Sequence, residues 1–229
     1  MKSRVTLRKE EGHGAVDSDF RKPVLLMGFR VALYSLLLFT LTEIILLDAH
    51  RISRQFSEQS YTEYAQEVFL LVSTLIFYLS VRFFPNQAVV GLLLGGLFGM
   101  SLIREFDAFL DAHVARHTWK VLAYSLAIVT AFLVYKKKEF FWRQLDGFIR
   151  TKAFGIVIAG MLSVFIFSRL YGLEDIWLAL MGEEKYMYEI TRISEESVEL
   201  LGYTLIMIGA IEYIIDLSTS SKRKSTSIS

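Results

Sequence analysis

The sequence predicts an all-α, polytopic membrane bundle of six transmembrane helices, with both the N- and C-terminus in the cytoplasm. Three observations carry that expectation. Apolar residues fill 53% of 229 positions and the mean hydropathy is +0.41, too high for a water-soluble domain of this size. Six apolar runs recur, most of them long enough to cross a ~30 Å hydrocarbon core at ~1.5 Å per residue. Between the runs, lysine and arginine are abundant in one set of loops and sparse in the other, the asymmetry that orients a protein in a bilayer.

Residues 1–22 are polar, carry Lys2, Arg4, Arg8, Lys9, Arg21 and Lys22, and lack a helical apolar period, so a cytoplasmic tail is expected there. The run that follows is too long for a cleavable signal, and no small-residue cleavage site ends it. Val24 to Leu47 is the first span, with Arg30 near one end and Glu43 near the other. Asp48 to Glu63 is a polar loop. Tyr64 to Phe84 is the second span, stopped by the Pro85-Asn86 turn.

Ala88 to Phe109 is the third span. Its Gly91, Gly95 and Gly99 recur every fourth residue and form a smooth ridge where another helix, including one from a second copy, can approach closely. Trp119 to Tyr135 is the fourth, ended by Lys136, Lys137 and Lys138. The basic, aromatic stretch from Glu139 to Lys152 belongs at the membrane interface. The fifth span runs from Phe154 to Leu170. Leu173 to Met181 is too short to cross and, with Trp177, is expected as an interfacial or re-entrant helix. Ser197 to Leu217 is the sixth span, completing one membrane domain over 23–217. Residues 218–229, with Lys222, Arg223, Lys224 and a serine-rich end, are expected as a disordered cytoplasmic tail.

Orientation follows from the cations. Sixteen of the 25 lysines and arginines fall on the side of the two termini and eight on the other, with Arg30 inside a span. Positive segments stay in the cytoplasm, so both termini are expected inside, with a bacterial inner (plasma) membrane as the setting. The carboxylates, which that rule does not use, sort the opposite way: 16 of 24 lie on the outer side. A functional site is therefore expected at the outer face.

Several chemistries are excluded or unsupported. The chain has no cysteine, which removes disulfides, thiolate metal sites and cysteine nucleophiles. It contains neither a phosphate-cradling G-x-x-x-x-G-K-[ST] loop nor a G-x-S-x-G elbow. The basic loops are explained by the membrane and give no support to nucleic-acid binding.

Depth singles out the candidate site. Glu43, Glu67 and Glu199 sit just inside the outer ends of spans one, two and six, where charged groups face a bundle interior or a wet cavity and are paired. Glu196, Glu199 and Tyr203 share a face of the sixth helix. If the third helix continues past Phe109, Arg104, Asp107 and Asp111 form one seam, while Glu105 points elsewhere. A pocket of Glu43, Glu67, Arg104, Asp107, Asp111, Glu196, Glu199 and Tyr203, made by spans one, two, three and six, is expected. Glu43, Asp107, Asp111, Glu196 and Glu199 are the best donors for a divalent metal, and His113 and His117 have helical metal-ligand spacing without an H-E-x-x-H motif.

Three readings fit the cluster: a cation or metal site, a proton path, or structural ion pairs in which Arg169 or Arg192 neutralises the glutamates of the sixth span. The corresponding functions are binding or passage of a small cation or cation-coupled solute, an intramembrane metal-dependent enzyme acting on a lipid or lipid-linked substrate, and an assembly protein without chemistry. Passage requires polar groups deeper in the bundle, and there they are sparse: Thr40, Thr42, Ser73, Thr74, Tyr78, Tyr203 and Thr204.

Overall fold

The computed structural model describes residues 13–51 and 60–226, with side chains over 21–50 and 60–221. Lys2, Arg4, Arg8 and Lys9, the middle of the first loop with Glu58, residues 227–229 and the side chains of Lys222, Arg223 and Lys224 lie outside the described residues. Among the described residues every regular element is helical, and six helices are long and apolar enough to cross a membrane. They are α1 (His13–Arg51), α2 (Tyr61–Phe83), α3 (Ala88–Glu105), α5 (Thr118–Tyr135), a fifth segment over Lys152–Tyr171, and α10 (Tyr188–Thr226). The fifth consists of α7 (Lys152–Leu162), a π-helical turn (Ser163–Phe167) and α8 (Ser168–Tyr171). Shorter helices α4 (Asp107–His113), α6 (Phe141–Ile149) and α9 (Glu174–Met181) lie between them.

The first and last helices run further than the apolar pattern implies. α1 begins at His13, inside the stretch expected as tail, and α10 continues past Leu217 to Thr226. The chain divides into two units, Met1–Thr40 and Leu41–Ser229. The described part of the first is a stretch of α1 whose apolar side chains from Val24 onward are mostly exposed.

In the second unit α10 is the central element. Of its membrane segment 67% is buried, against 6% for α5, which marks one as the core and the other as a lipid-facing helix. α10 packs on α2, on α7, on the π-helical turn and on α8, while α3 joins α2 to α5. It runs antiparallel to α3: Tyr203 reaches Glu105 at the end of α3, and ten residues later the Tyr213 hydroxyl donates to the Gln87 carbonyl before its start.

Lipid tails give apolar side chains no reason to leave them, so close packing and hydrogen bonds hold such helices together. Phe98, Phe77, Tyr213, Phe148 and Phe154 form a chain of ring contacts with centroids 5.4–5.8 Å apart through the core. A close and reciprocal backbone approach joins α7 to α10. A Cβ on Gly160 would lie 2.7 Å from the Gly202 carbonyl oxygen, and one on Gly202 would lie 2.9 Å from that of Gly160.

The expected glycine ridge is consumed within the chain. Gly91 lies against Phe77 and Ser80 of α2, Gly95 against Tyr78, and Gly99 against Leu126 of α5.

Two polar clamps set the ends of the bundle. Asp48 receives the backbone N–H groups of Tyr61 and Thr62, at 3.2 and 2.8 Å, and the Thr62 hydroxyl at 2.7 Å. Beside it Ser60 and Glu63 form a capping box, so the start of α2 has its free amides answered twice. At the other end Gln144 of α6 accepts from the Val89 amide at 2.8 Å, satisfying a free donor in the first turn of α3. Glu196, at the clamped start of α2, and Tyr213, at the α6 end, are 17 residues apart on α10, ~26 Å by helical rise. That is close to a ~30 Å hydrocarbon thickness.

Candidate functional site

The first half of α10 carries Arg192, Glu195, Glu196, Glu199 and Tyr203 along about three turns, and each meets a partner. Arg192 donates from Nε to Glu196 at 2.6 Å and from Nη2 to Glu63 of α2 at 2.8 Å. Gln66 donates to the Glu196 carbonyl at 3.0 Å. Arg169 of α8 spans Glu195, at 2.6 Å, and Glu199. The Ser168 hydroxyl lies 3.3 Å from the same Glu199 oxygen. Each arginine thus grips two carboxylates, the arrangement that lets ionised groups stay away from bulk water.

The π-helical turn precedes Ser168 and Arg169. It widens the helix at Ser163–Phe167, and the hydroxyls of Ser163 and Ser168 donate back to the Ala159 and Val164 carbonyls. Such a turn changes the phase of everything after it, and here Ser168 and Arg169 follow, facing α10. No glycine or proline lies in the turn to signal it.

In front of these pairs lies a cleft of about 470 Å³ between α2, the end of α3 and α4. Glu63, Glu67, Glu105 and Asp107 line it, against Arg104 and His113, with Tyr64, Phe106 and Phe109 as its aromatic wall. One of these lining carboxylates, Glu105, accepts from the Tyr203 hydroxyl of α10 at 2.8 Å on Oε1.

The structure rearranges the expected site. Glu67, Arg104 and Asp107 do line one cleft. Glu196, Glu199 and Tyr203 stand behind it in ion pairs and a hydrogen bond rather than in its lining. Glu43 is exposed on α1 and is no part of it. Among the described residues, spans one and six contribute none to the lining.

The predicted seam fails because the helix is interrupted at Phe106, whose φ and ψ of −87° and 15° leave the helical region. Arg104 and Asp107 flank that break, and Asp111, beyond it, accepts from the His117 backbone N–H at 2.8 Å. Glu105, expected to point elsewhere, is the residue bonded to Tyr203. A continuous 100° rotation could not reveal this, because no local residue marks the break.

The histidine pair is corrected as well. α4 ends at His113, which stacks on Phe109 with ring centroids 4.4 Å apart and bonds its carbonyl. His117 follows in the left-handed region, at φ 69°, before α5. Spacing of four aligns two imidazoles only on one helix, and these two are not on one. Among the described residues no three of His, Asp and Glu gather to hold a metal ion, so the donor set does not fit a resident divalent metal.

Among the described residues two buried side-chain oxygens, Glu196 Oε2 and Gln87 Oε1, have no hydrogen-bond partner, and the first lies beside the paired carboxylates of α10. Sequence reasoning missed Glu63, Gln66 and Glu105; for Glu63 the capping-box spacing after Ser60 was the readable signal. No protein-family model, curated protein or solved structure matches this chain.

Proposed function

We propose that this is a multi-pass protein of a bacterial inner membrane, with both termini cytoplasmic, whose outward-facing acidic cleft binds a small cation or a cation-coupled solute. The lining carries the reading: four carboxylates against one arginine and one histidine. Arg192 is already divided between Glu63 and Glu196, so the remaining negative charge attracts a cation into a concave site with low-dielectric walls. The unpartnered Glu196 oxygen is one unanswered acceptor behind it.

Binding is favoured over passage. Ser73, Thr74 and Thr204 each donate to a carbonyl of their own helix, at 2.6–2.8 Å, and so offer a moving ion little. The metal-dependent enzyme is disfavoured by the donor geometry. A second reading, ion pairs alone, is supported by the two arginines that each hold two carboxylates.

Calorimetric titration of the purified protein with Na⁺, K⁺, Mg²⁺, Ca²⁺ and ethylammonium separates the two. Saturable binding of at least one is expected, weakened about tenfold by Glu67→Gln or Glu105→Gln, ~1.4 kcal/mol each. Absence of binding by all five leaves the ion-pair reading.

A further inference from the structure

At the end of the bundle opposite the cleft, α5 turns into α6 through an elbow that carries six cations between Lys136 and Lys152, against Glu139 and Asp146 only. Asp146 is spent on Arg150, which it meets through two 3.0 Å hydrogen bonds. Three of the other five cations lie against aromatic rings. Lys136 lies 4.6 Å over Phe132, Lys138 4.7 Å over Tyr135, and Arg143 5.2 Å over Phe140. A cation over a ring face loses reach, so these heads stay near the level where α5 leaves the apolar layer.

α6 itself cannot tilt away freely. Its Gln144 and Phe148 are buried, one on the Val89 amide and the other among Tyr213 and Phe154. Its opposite face presents Trp142, 77% exposed, stacked edge-on with Phe141. An exposed tryptophan beside fixed cations is the amphipathic pattern of the headgroup region, apolar body below and charge above.

We propose that this elbow is a binding site for an anionic phospholipid headgroup, with Lys136, Lys138 and Arg143 around the phosphate and Trp142 at the acyl boundary. The charge excess selects an anion. The tryptophan, together with the position of the elbow between two membrane-crossing helices, selects the lipid-borne phosphate over a soluble one. The site depends on the membrane reading of the six helices and not on what occupies the acidic cleft.

The test uses the full chain in nanodiscs, with Trp119→Phe and Trp177→Phe so that Trp142 is the single tryptophan and is excited selectively. Brominated phosphatidylglycerol, diluted into phosphatidylcholine, is compared with brominated phosphatidylcholine at the same mole fraction. Stronger quenching by the anionic lipid is expected, unaffected by inorganic phosphate. Replacing Lys136, Lys138 and Arg143 by glutamine should lower the lipid preference about tenfold or more, each basic residue near the surface contributing about fivefold before screening. Equal quenching by both lipids overturns the proposal without any variant. Loss of the preference on adding inorganic phosphate overturns the choice of a lipid. A preference that survives the triple substitution overturns the assignment of these residues.

Discussion

Arg192 joins two helices through two carboxylates, and what it does follows from its partial burial. Its side chain is 24% exposed and its partners Glu63 and Glu196 are 25% and 12% exposed. Arg192→Ala leaves both carboxylates without their cation. The expected loss is ~2 kcal/mol, below the ~3–5 kcal/mol of a fully buried pair because water reaches part of the group. Thermal unfolding in micelles measures it. A Tyr203→Phe variant should lose less, ~1 kcal/mol, since one hydrogen bond to Glu105 is removed.

Asp146 supplies a contrast at the same scale. The hydrogen bond from Arg150 holds its carboxyl below the ordinary carboxylate range, and both groups are exposed. A depressed value means that the pair's contribution is present above the ordinary range and is lost as pH falls through the lowered value. An NMR titration of the Asp146 carboxyl should show the depression in wild type and its disappearance in Arg150→Gln.

Residues of this kind were partly legible. Arg169 and Arg192 were readable as neutralisers of the sixth-span glutamates, since embedded carboxylates need cations. Glu105 was not, because its direction depends on the break at Phe106.

At the scale of the element, the glycines divide into those the sequence announces and those it does not. Gly91, Gly95 and Gly99 announce themselves by spacing and pack where spacing implies, against a neighbouring helix. Gly160 and Gly202 belong to no four-residue repeat, and only the crossing of α7 and α10 shows why neither has a side chain. Gly160→Val should cost ~1–3 kcal/mol or displace the fifth segment, since the carbonyl that its Cβ meets belongs to backbone. Gly155, with open space around it, should accept alanine with little change in the same unfolding assay.

Helix existence was readable from hydropathy alone. Helix interruption was not: the π-helical turn at Ser163–Phe167 and the stop at Phe106 arise from tertiary fit, in stretches without proline or glycine at the break. The candidate site depends on both, one for placing Arg169 and the other for placing Glu105. This is why the expected pocket contained several correct residues in the wrong roles.

At the scale of the molecule, an acidic end with a cleft and a basic, aromatic end with α6 face opposite ways along α10. The six apolar helices make this a membrane architecture, and the separation of the two ends matches a bilayer's apolar thickness. The proposed orientation places the acidic end outside, where the surface potential of the anionic inner leaflet does not oppose it. The account is tested most directly by labelling of single cysteines, which the cysteine-free chain permits without background. Ala112→Cys lies in the lining of the cleft and Ser220→Cys near the end of α10. In intact cells, a membrane-impermeant maleimide is expected to label the cysteine at 112 and to leave that at 220 until the membrane is opened. Labelling at 220 with protection at 112 would place the acidic cleft in the cytoplasm and contradict the account.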